Sequence, residues 1–435
     1  MKRILKKCLA TMCALSLSTS TLSGCSGSEQ LEESTELAKI SETTIDNTAS
    51  GGEVEIEFWH YFNAESQPII EALVDDFNKS QDEIKVVQTY ISRADLMKQY
   101  TMGALSGELP DVGMVDNPDM ASFVEMGVFQ DITDLLNQWG EVDQFYEGPL
   151  ASCTVDGKYY GLPQNTSCIG IYYNKDLFAA AGLTEDDVPT SWDELYEVSK
   201  KLTKEDTFGF AFSAKGTEEG TFSYLPWLYS TGADISTLDS PEAVKSMEYL
   251  TKFAQEGLTS KEVVNWSQSD VKDAFIAGKA AIMQNGSWQM AALDAMVADD
   301  SLAFDYGIAY IPKDKKNTSV IGGENVGICA GANTEVAFEF LKYLESKEVN
   351  ARFCLEAGKF PPRKDSMASE EIWETDENYK VFASTMEFAL TRGPHPQWPT
   401  ISEGIYTALQ ASLLGEQTPE TAMQEAAEKA RSVLQ

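Results

Sequence analysis

Carboxylates are the most abundant chemically active side chains in this sequence, which has 69 Asp and Glu residues against 33 Lys and Arg. A pair of carboxylates could hydrolyse a glycosidic bond, but so many carboxylates single out no pair. The sequence contains two histidines, His60 and His395, so a histidine-based triad has few possible centres. It contains no G-x-S-x-G elbow, no H-E-x-x-H zinc motif and no G-x-x-x-x-G-K-[ST] phosphate loop. Catalysis is therefore left without a motif.

Reversible binding of a hydroxyl-rich ligand has more candidate residues. Sugars present apolar C–H faces flanked by hydroxyls, so their sites combine aromatic platforms with planar polar side chains. Each tryptophan could equally be a core residue, an aspartate could cap a helix, and a histidine at a strand end could simply be packed there. The loops that combine the required types contain Trp59, His60, Asp116, Asn117, Trp227, Trp288, Glu324, Asn325 and Trp398.

Strands and helices alternate in the part of the chain that carries these candidates. The segment "GGEVEIEFWHYF" has the period of a strand, a helix follows it, and "IKVVQTYI" reads as a second strand. A second helix should stop at Gly107, before a short buried strand that ends at Asp116. Because ligands bind beyond the carboxyl ends of parallel strands, we expect Trp59 and His60 to line one edge with Asp116 and Asn117.

The rest of the chain continues the α/β pattern. "GIYYNKDLF", "FGFAFSA" and "YGIAYIP" read as strands, "SWDELYEVSKKL" reads as a helix, and the carboxyl end is helical. No fixed repeat of 20–50 residues appears, which argues against solenoids and propellers. We therefore predict an α/β fold whose sheets are mostly parallel and flanked by helices.

Composition limits the partners. The length of 435 residues predicts about two domains, and the formal net charge of −36 disfavours nucleic acid and anionic lipid surfaces. Cys153, Cys168, Cys329 and Cys354 lack C-x-x-C spacing, so we expect neither a metal site nor a cofactor, although one disulfide remains possible. No cluster of Lys and Arg lies near the candidate loops, which disfavours phosphorylated ligands.

The amino terminus has the pattern of an export signal. "MKRILKK" carries four positive charges, and an apolar run leads to "LSGC", where Cys25 precedes a Ser/Thr/Glu-rich segment. This pattern resembles a bacterial lipoprotein signal. We predict a signal peptide at 1–24, acylation of Cys25 and a flexible tether at 25–52. The membrane would be reached only through the lipid, at the extracellular face of the cell membrane.

From about Glu53 onward the chain resembles the extracellular solute-binding proteins of family 1, the sugar-binding lipoproteins that feed ABC importers. The resemblance rests on stretches found in the family's order across nearly the whole mature chain. They include "SGELPDVGMVD", "DGKYYGLPQNTSCIGIYYNKDLFAAAGL", "FIAGKAAIMQNGSW", "GGENVGI", "GKFPPRKD" and "PQWPTISEGIYTALQASLLGEQTPETAM". In this family the tryptophan of N-G-x-W often stacks on sugar, which implies that role for Trp288.

The resemblance also implies a two-lobe periplasmic-binding-protein-like fold of type II, with a hinge that the chain crosses three times. Crossings are expected near 163–166, 311–313 and 361–363. They would divide the chain into lobe 1, with residues 53–163 and 313–361, and lobe 2, with residues 164–312 and 362–435. Asn165 in the first crossing and Arg363 after the "GKFPP" segment complete the candidate ligand contacts.

The sequence thus predicts a monomeric, lipid-anchored binding protein of an ABC importer and not an enzyme. It would bind a neutral mono- or oligosaccharide between its lobes and deliver it to the permease subunits. Two alternatives remain open, a sugar-sensing receptor for a signalling partner and a carbohydrate-active lipoprotein enzyme. At "VDNPD" some family members have an aromatic residue and this chain has none, which leaves the identity of the substrate open.

Overall fold

The computed structural model of the chain describes residues 53–62, 66–393 and 395–434. The predicted signal peptide, the tether and Cys25 lie outside these ranges, so the expectations about them stay predictions. In the described ranges the strands are β1 Val54–His60, β2 Ile84–Tyr90, β3 Val112–Asp116, β4 Thr154–Val155, β5 Lys158–Tyr159, β6 Leu162–Pro163, β7 Ile169–Asn174, β8 Phe208–Ala211, β9 Ala280–Gly286, β10 Tyr306–Ala309, β11 Ser319–Val320, β12 Glu324–Ile328 and β13 Ala389–Leu390.

The helices alternate with these strands, and five short 3₁₀ turns lie between them in the described ranges. The α-helices are α1 Gln67–Ser80, α2 Arg93–Ser106, α3 Met120–Glu125, α4 Thr133–Trp139, α5 Glu147–Ala151, α6 Lys175–Ala180, α7 Trp192–Leu202, α8 Glu218–Ser230, α9 Pro241–Gln255, α10 Gln268–Ile276, α11 Met290–Ala298, α12 Thr334–Leu344, α13 Lys347–Glu356, α14 Lys364–Met367, α15 Ile372–Thr375, α16 Glu377–Thr385, α17 Trp398–Leu414 and α18 Pro419–Arg431.

Local sequence signals account for the first elements. Strand β1 alternates between buried and more exposed side chains, with Ile56 and Phe58 in the core. Helix α2 begins after Ser92, whose hydroxyl accepts a hydrogen bond from the Asp95 amide, and it ends at Gly107 with φ +78°. These elements end where the sequence predicts, so the side chains that follow β1 and β3 reach one edge of the sheet.

Two mixed sheets organise the molecule. The first has the strand order β2-β1-β3-β12-β6, with β1 parallel to β2 and β3. In the same sheet β12 is antiparallel to β3 and β6. The second sheet has the order β10-β7-β9-β8, in which only β8 and β9 are parallel among the described strands. Helices α17 and α18 pack together and against α9, beside the second sheet's core.

The predicted α/β fold is confirmed, but the expectation of mostly parallel sheets is wrong. Parallel pairing needs a crossover helix, and the helix between β1 and β2 supplies one. Strand β7 instead follows β6 of the first sheet through an extended segment, and β12 follows β11, a strand outside both sheets. Both strands run antiparallel to their neighbours, a relation that local periodicity does not encode.

Three extended segments, 164–168, 319–323 and 359–361, connect the two sheets side by side. Thr166 and Phe360 exchange two backbone hydrogen bonds of 2.8 and 2.9 Å, and Ser167 and Gly322 exchange two of 3.1 and 2.8 Å. The backbone of Lys313 is paired with the residues at the start of α7. The hinge crossings and lobe bounds expected from the sequence stay predictions.

Candidate ligand-binding cleft

A cavity of about 300 Å³ lies where the two sheets and their connections meet. Tyr61 and Phe62, which follow β1, line it from the first sheet. Trp288, which follows β9, lines it from the second sheet, and Ser167 and Gly322 line it from the connections. The cavity thus opens at the carboxyl ends of parallel strands, the position at which open α/β sheets bind ligands.

On the first sheet, antiparallel pairing brings two carboxylates together. Asp116 ends β3 and stands in register with Glu324, which begins β12. The residue before Glu324 is Gly323, with φ +131°, and an added Cβ there would lie 2.2 Å from the Asn165 carbonyl oxygen. The double-glycine turn is therefore needed for the chain to pass close to the first connection and place Glu324 in the cavity.

On the second sheet, an aromatic pair forms part of the wall. The rings of Trp288 and Phe222 stack with their centroids 6.0 Å apart. A Cβ at Gly286 would lie 2.0 Å from the indole of Trp288, so the end of β9 accommodates this ring only because residue 286 has no side chain. The pair offers an aromatic surface to the apolar face of a ligand.

A chain of ion pairs crosses the cavity. Asp116 accepts hydrogen bonds from Arg93 at 2.9 Å and from Arg392 at 2.8 and 3.1 Å. Arg392 also donates to Glu218 at 2.7 Å, while Arg93 donates to Asp119 at 2.9 Å. The three carboxylates and Arg392 are largely buried, Arg93 is 33% exposed, and the groups stabilise one another because each carboxylate faces a guanidinium.

The ion pairs set the protonation of the two aspartates in opposite directions. Burial alone would raise the pKa of Asp116, but Arg392 and Arg93 outweigh burial and hold this pKa below its usual value. Burial also raises the pKa of Asp119, and with added repulsion from Asp116 and Glu218 it reaches about 7 despite Arg93. Asp116 therefore stays ionised as a hydrogen-bond acceptor, whereas Asp119 holds a proton up to neutral pH.

Three cations line the cavity, Arg93, Lys359 and Arg392. The expectation that no Lys or Arg cluster lies near the site is therefore wrong, because folding gathers these three from distant parts of the chain. Each is already engaged by a carboxylate, and Lys359 donates to Glu324 at 2.6 Å. With four carboxylates in the same lining, Asp116, Glu218, Glu219 and Glu324, the cavity carries no excess of positive charge.

A second cavity, of about 710 Å³, lies on the other side of the connections. Thr166 and Ile321 line it, whereas their neighbours Ser167 and Gly322 line the first cavity, as expected where successive side chains of extended segments point to opposite faces. Its remaining wall is largely apolar and includes Trp373. It lacks the network of charged hydrogen-bonding groups that distinguishes the first cavity, so we place the candidate site in the first.

The structure brings three of the predicted site residues together in this cavity, Asp116, Trp288 and Glu324. Asp116 ends β3, Glu324 begins β12 and Trp288 follows β9. The strand pattern predicts the place of Asp116, whereas loop composition and the family resemblance predict Trp288 and Glu324. The contact of these side chains with a ligand remains a prediction.

The other predicted aromatic residues lie elsewhere. Trp227 is fully buried in the second sheet's core and donates to Gln284 at 2.9 Å. Trp398 is also fully buried, and its indole N–H donates to Glu218 at 3.1 Å, so it supports a cavity carboxylate from behind. Trp59 stacks on Tyr100, and His60 is buried with its Nε2 3.0 Å from the Gln88 side-chain oxygen.

The predicted amides and Arg363 are structural in their placement. Asn117 and Asn325 both bond to Ser152, at 3.2 and 3.0 Å, behind the cavity wall. Asn165 is fully buried in the first connection. Arg363 pairs with Glu141 and Asp365 at 2.8 Å. None of these four residues is in the lining of the cavity in the described structure, and their contact with a ligand stays a prediction.

Sequence reasoning missed five lining residues that contact each other or the predicted carboxylates, Arg93, Glu218, Phe222, Lys359 and Arg392. Arg93 had a local signal, because it follows a predicted strand just as Asp116 does. Glu218 and Phe222 lie in α8, and Lys359 lies in the loop after α13, where the sequence gives no comparable signal. Arg392 follows β13, a strand of two residues that the sequence analysis does not predict. Arg392 and Asp116 are 276 residues apart, so only the folded structure reveals their contact.

Comparisons with known proteins agree with this architecture. Residues 72–381 match the family model for bacterial extracellular solute-binding protein. The galactooligosaccharide-binding protein of Bacillus subtilis (strain 168) is 27% identical over 82% of this chain and 84% of its own. The sn-glycerol-3-phosphate-binding periplasmic protein UgpB of Rhizobium meliloti (strain 1021) is 23% identical over 87% of this chain and 94% of its own.

A solved structure is similar over the same extent. The ABC transporter solute-binding protein from Thermotoga lettingae TMO, bound with alpha-D-tagatose, has a TM-score of 0.81 and 27% identity, and the match covers 88% of this chain and 100% of that one. The fold, with a cavity between two connected sheets, is that of the periplasmic binding proteins. The chain belongs to the bacterial extracellular solute-binding proteins, and it is a binding protein and not an enzyme.

Two further observations concern the described ranges alone. No helix there is both long and apolar enough to cross a membrane. The four cysteines of the described part, Cys153, Cys168, Cys329 and Cys354, are free and buried, so the disulfide that the sequence left open does not form among them.

Proposed function

We propose that this protein is a lipid-anchored extracellular receptor that reversibly binds a neutral carbohydrate and delivers it to an ABC permease. The observation that carries the proposal is the composition of the cavity lining. Trp288 and Phe222 offer stacked aromatic surface, and in the same cavity Asp116 is held ionised as a hydroxyl acceptor. Apolar sugar faces and hydroxyl groups match these two features.

The hydrogen-bonding capacity of the cavity also favours a polyol. Ser66, Ser167, Gln268 and Ser269 line it together with the charged groups. A hydroxyl group can donate to a carboxylate and accept from a serine, an amide or a guanidinium at the same time, so it fits a lining of mixed donors and acceptors. The volume of about 300 Å³ is in the range of small-molecule sites.

Neutrality of the ligand follows from the pairing of the charges. A phosphate group would need free cations, and in the described structure Arg93, Lys359 and Arg392 are each bound to carboxylates. Displacing a carboxylate from a buried pair would leave it uncompensated, which is costly. The presence of three cations still favours a phosphorylated polyol as the second candidate, in line with the name of the Rhizobium relative.

Titration calorimetry separates these candidates. Galacto-oligosaccharides, D-tagatose and other neutral sugars would be titrated into the purified protein beside sn-glycerol 3-phosphate. We expect heat of binding from at least one neutral sugar and none from the phosphate ester. Tight binding of the ester with no response to any sugar would overturn the proposal and support the second candidate.

The connections suggest how ligand binding is communicated. We infer that the two sheets belong to lobes that bend about segments 164–168, 319–323 and 359–361, with the second boundary later than the sequence predicts. A ligand that contacts both lobes stabilises the closed form by its differential affinity, and a permease could recognise that form. The same closed form could instead be read by a signalling partner.

Acylation of Cys25 would keep the receptor at the membrane and raise its effective concentration near the permease. Cells grown with radioactive fatty acid test this directly. We expect label in the wild-type protein and none in Cys25→Ala. A wild-type protein released unlabelled into the medium would show that the leader is an ordinary secretory signal.

A further inference from the structure

Arg392 occupies an unusual position in the cleft. It follows β13, whose partner β11 belongs to the second connection between the sheets. Its side chain is 4% exposed and still lines the cavity. A cation this well buried must be compensated by its surroundings, so its contacts indicate what it does.

The guanidinium contacts three separate parts of the fold. It donates to both oxygens of Asp116, at the end of β3 in the first sheet, at 2.8 and 3.1 Å. It donates to Glu218 at 2.7 Å and lies 4.4 Å from the ring centre of Phe222, both on α8, which packs with the second sheet's core. It also donates to the carbonyl oxygen of Ile321 in the second connection, at 3.4 Å.

No other cation in the described lining makes this set of contacts. Arg93 reaches Asp116 and Asp119, which belong to the same side as itself, and Lys359 reaches Glu324. Without Arg392, the carboxylates of Asp116 and Glu218 would face the cavity with no shared cation between the two sides. Their repulsion would be strong in a buried setting and would push the two sides apart.

Resting on the function proposed above, we propose that Arg392 is a positioning residue that joins the two sides of the cleft through Asp116 and Glu218 and thereby sets both closure and sugar affinity. Its planar fork holds Asp116 in the orientation that accepts a hydroxyl, and its stacking on Phe222 fixes the ring that supports Trp288. A lysine, with one compact ammonium group, could keep the charge but not all of these contacts at once.

The test uses Arg392→Lys, Glu218→Gln and the double variant, with Arg352→Lys as the matched control. Arg352 is an exposed arginine that pairs with Asp76 and Glu356, away from the cavity. Galactotriose affinity would be measured by calorimetry, and the radius of gyration of the ligand-free proteins by small-angle X-ray scattering. Thermal unfolding would show that each variant is folded.

We expect Arg392→Lys to weaken galactotriose binding about tenfold and to enlarge the ligand-free protein, while Arg352→Lys changes neither. Both single variants disrupt the same contact between Arg392 and Glu218. The double variant should therefore bind galactotriose no more weakly than the weaker-binding single variant, whereas the affinity losses from independent packing effects would add. Additive losses, or unchanged affinity and size in Arg392→Lys, would overturn the proposal. If Arg392→Lys does not fold, Glu218→Gln tests the same contact by changing the partner of Arg392 on α8.

Failure of this inference can be told apart from failure of the proposed function. If the wild-type protein binds galactotriose and the variants bind equally well, Arg392 does not position the site and the function stands. If the wild-type protein binds neither galactotriose nor any other neutral sugar, the proposed function fails. A larger radius of gyration for ligand-free Arg392→Lys would still support the proposal that Arg392 joins the two sides of the cleft.

Discussion

At the scale of single residues, most charged side chains of the site form ion pairs and hydrogen bonds with one another. Asp116 accepts hydrogen bonds from two guanidinium groups, and Glu218 accepts hydrogen bonds from Arg392, Trp398 and Ser402. This mutual engagement keeps the lining fixed in position, so that little side-chain entropy is lost when a ligand binds.

Replacing Trp288 by Ala should weaken sugar binding without unfolding the protein. Ring stacking contributes about 0.5–1.5 kcal/mol beyond area burial, so a loss of about tenfold in affinity is expected. Calorimetry with the sugar that binds the wild-type protein measures it. Trp139→Ala is the control, because this partly buried indole lies beside Arg363, away from the cavity. Equal affinities in Trp288→Ala and wild type would remove the indole from the site.

Asp119 predicts a pH effect on stability. Its pKa is about 7 in the folded chain and near 4 when unfolded, so between these values the folded state keeps a proton that the unfolded state has lost. Its contribution to stability is present below the unfolded pKa and is lost as pH rises towards 7. The charged groups that face Asp119 are Arg93, Asp116, Glu218 and Arg392. Because asparagine does not ionise, Asp119→Asn should lose less stability than the wild-type protein between pH 5 and pH 8.

Thermal midpoints at the two pH values provide the measurement. Asp131→Asn is the control, because its hydrogen bonds with Lys158 and Thr133 lower the pKa of Asp131 to about 2, outside the tested window. If wild type and Asp119→Asn lose the same stability between pH 5 and pH 8, the proton on Asp119 is not retained in the folded protein.

At the scale of elements, local patterns predicted most boundaries. The alternation in β1, the helix stop at Gly107 and the strand ending at Asp116 are encoded by neighbouring residues, and each appears in the structure. The pairing direction of β7 and β12, the place of the second connection and the contact of Arg392 with Asp116 depend on residues far away in sequence. For that reason the sequence located Asp116, Trp288 and Glu324 but not the cations that bind the two carboxylates.

The end of β9 is an element whose backbone controls a side chain. Gly286→Ala should weaken sugar binding much as Trp288→Ala does, because the new methyl group would displace the indole that now lies over residue 286. Gly278→Ala is the control, since that glycine has φ +69° and open space, so alanine costs roughly 1 kcal/mol of stability without touching the site. Affinity by calorimetry and stability by thermal unfolding separate the two effects; normal affinity in Gly286→Ala would contradict the prediction.

At the scale of the whole molecule, the acidic surface and the two connected sheets suit a receptor outside the cell. A net charge of −36 keeps the chain soluble and away from anionic lipid heads, so attachment would depend on the acyl chain at Cys25. The three connections run side by side with cavities on both of their faces, so bending about them would alter both cavities together.

Because its four thiols are buried, the folded part of this protein could be labelled at one introduced cysteine and used as an optical sensor. Burial raises the pKa of each of these cysteines, so none offers a reactive thiolate at neutral pH. A cysteine introduced at Ser269, an exposed residue of the cavity wall, would then take up a maleimide dye selectively in a version that begins after Cys25. The emission of the dye should change when a sugar that binds is added and should stay constant when a sugar that does not bind is added.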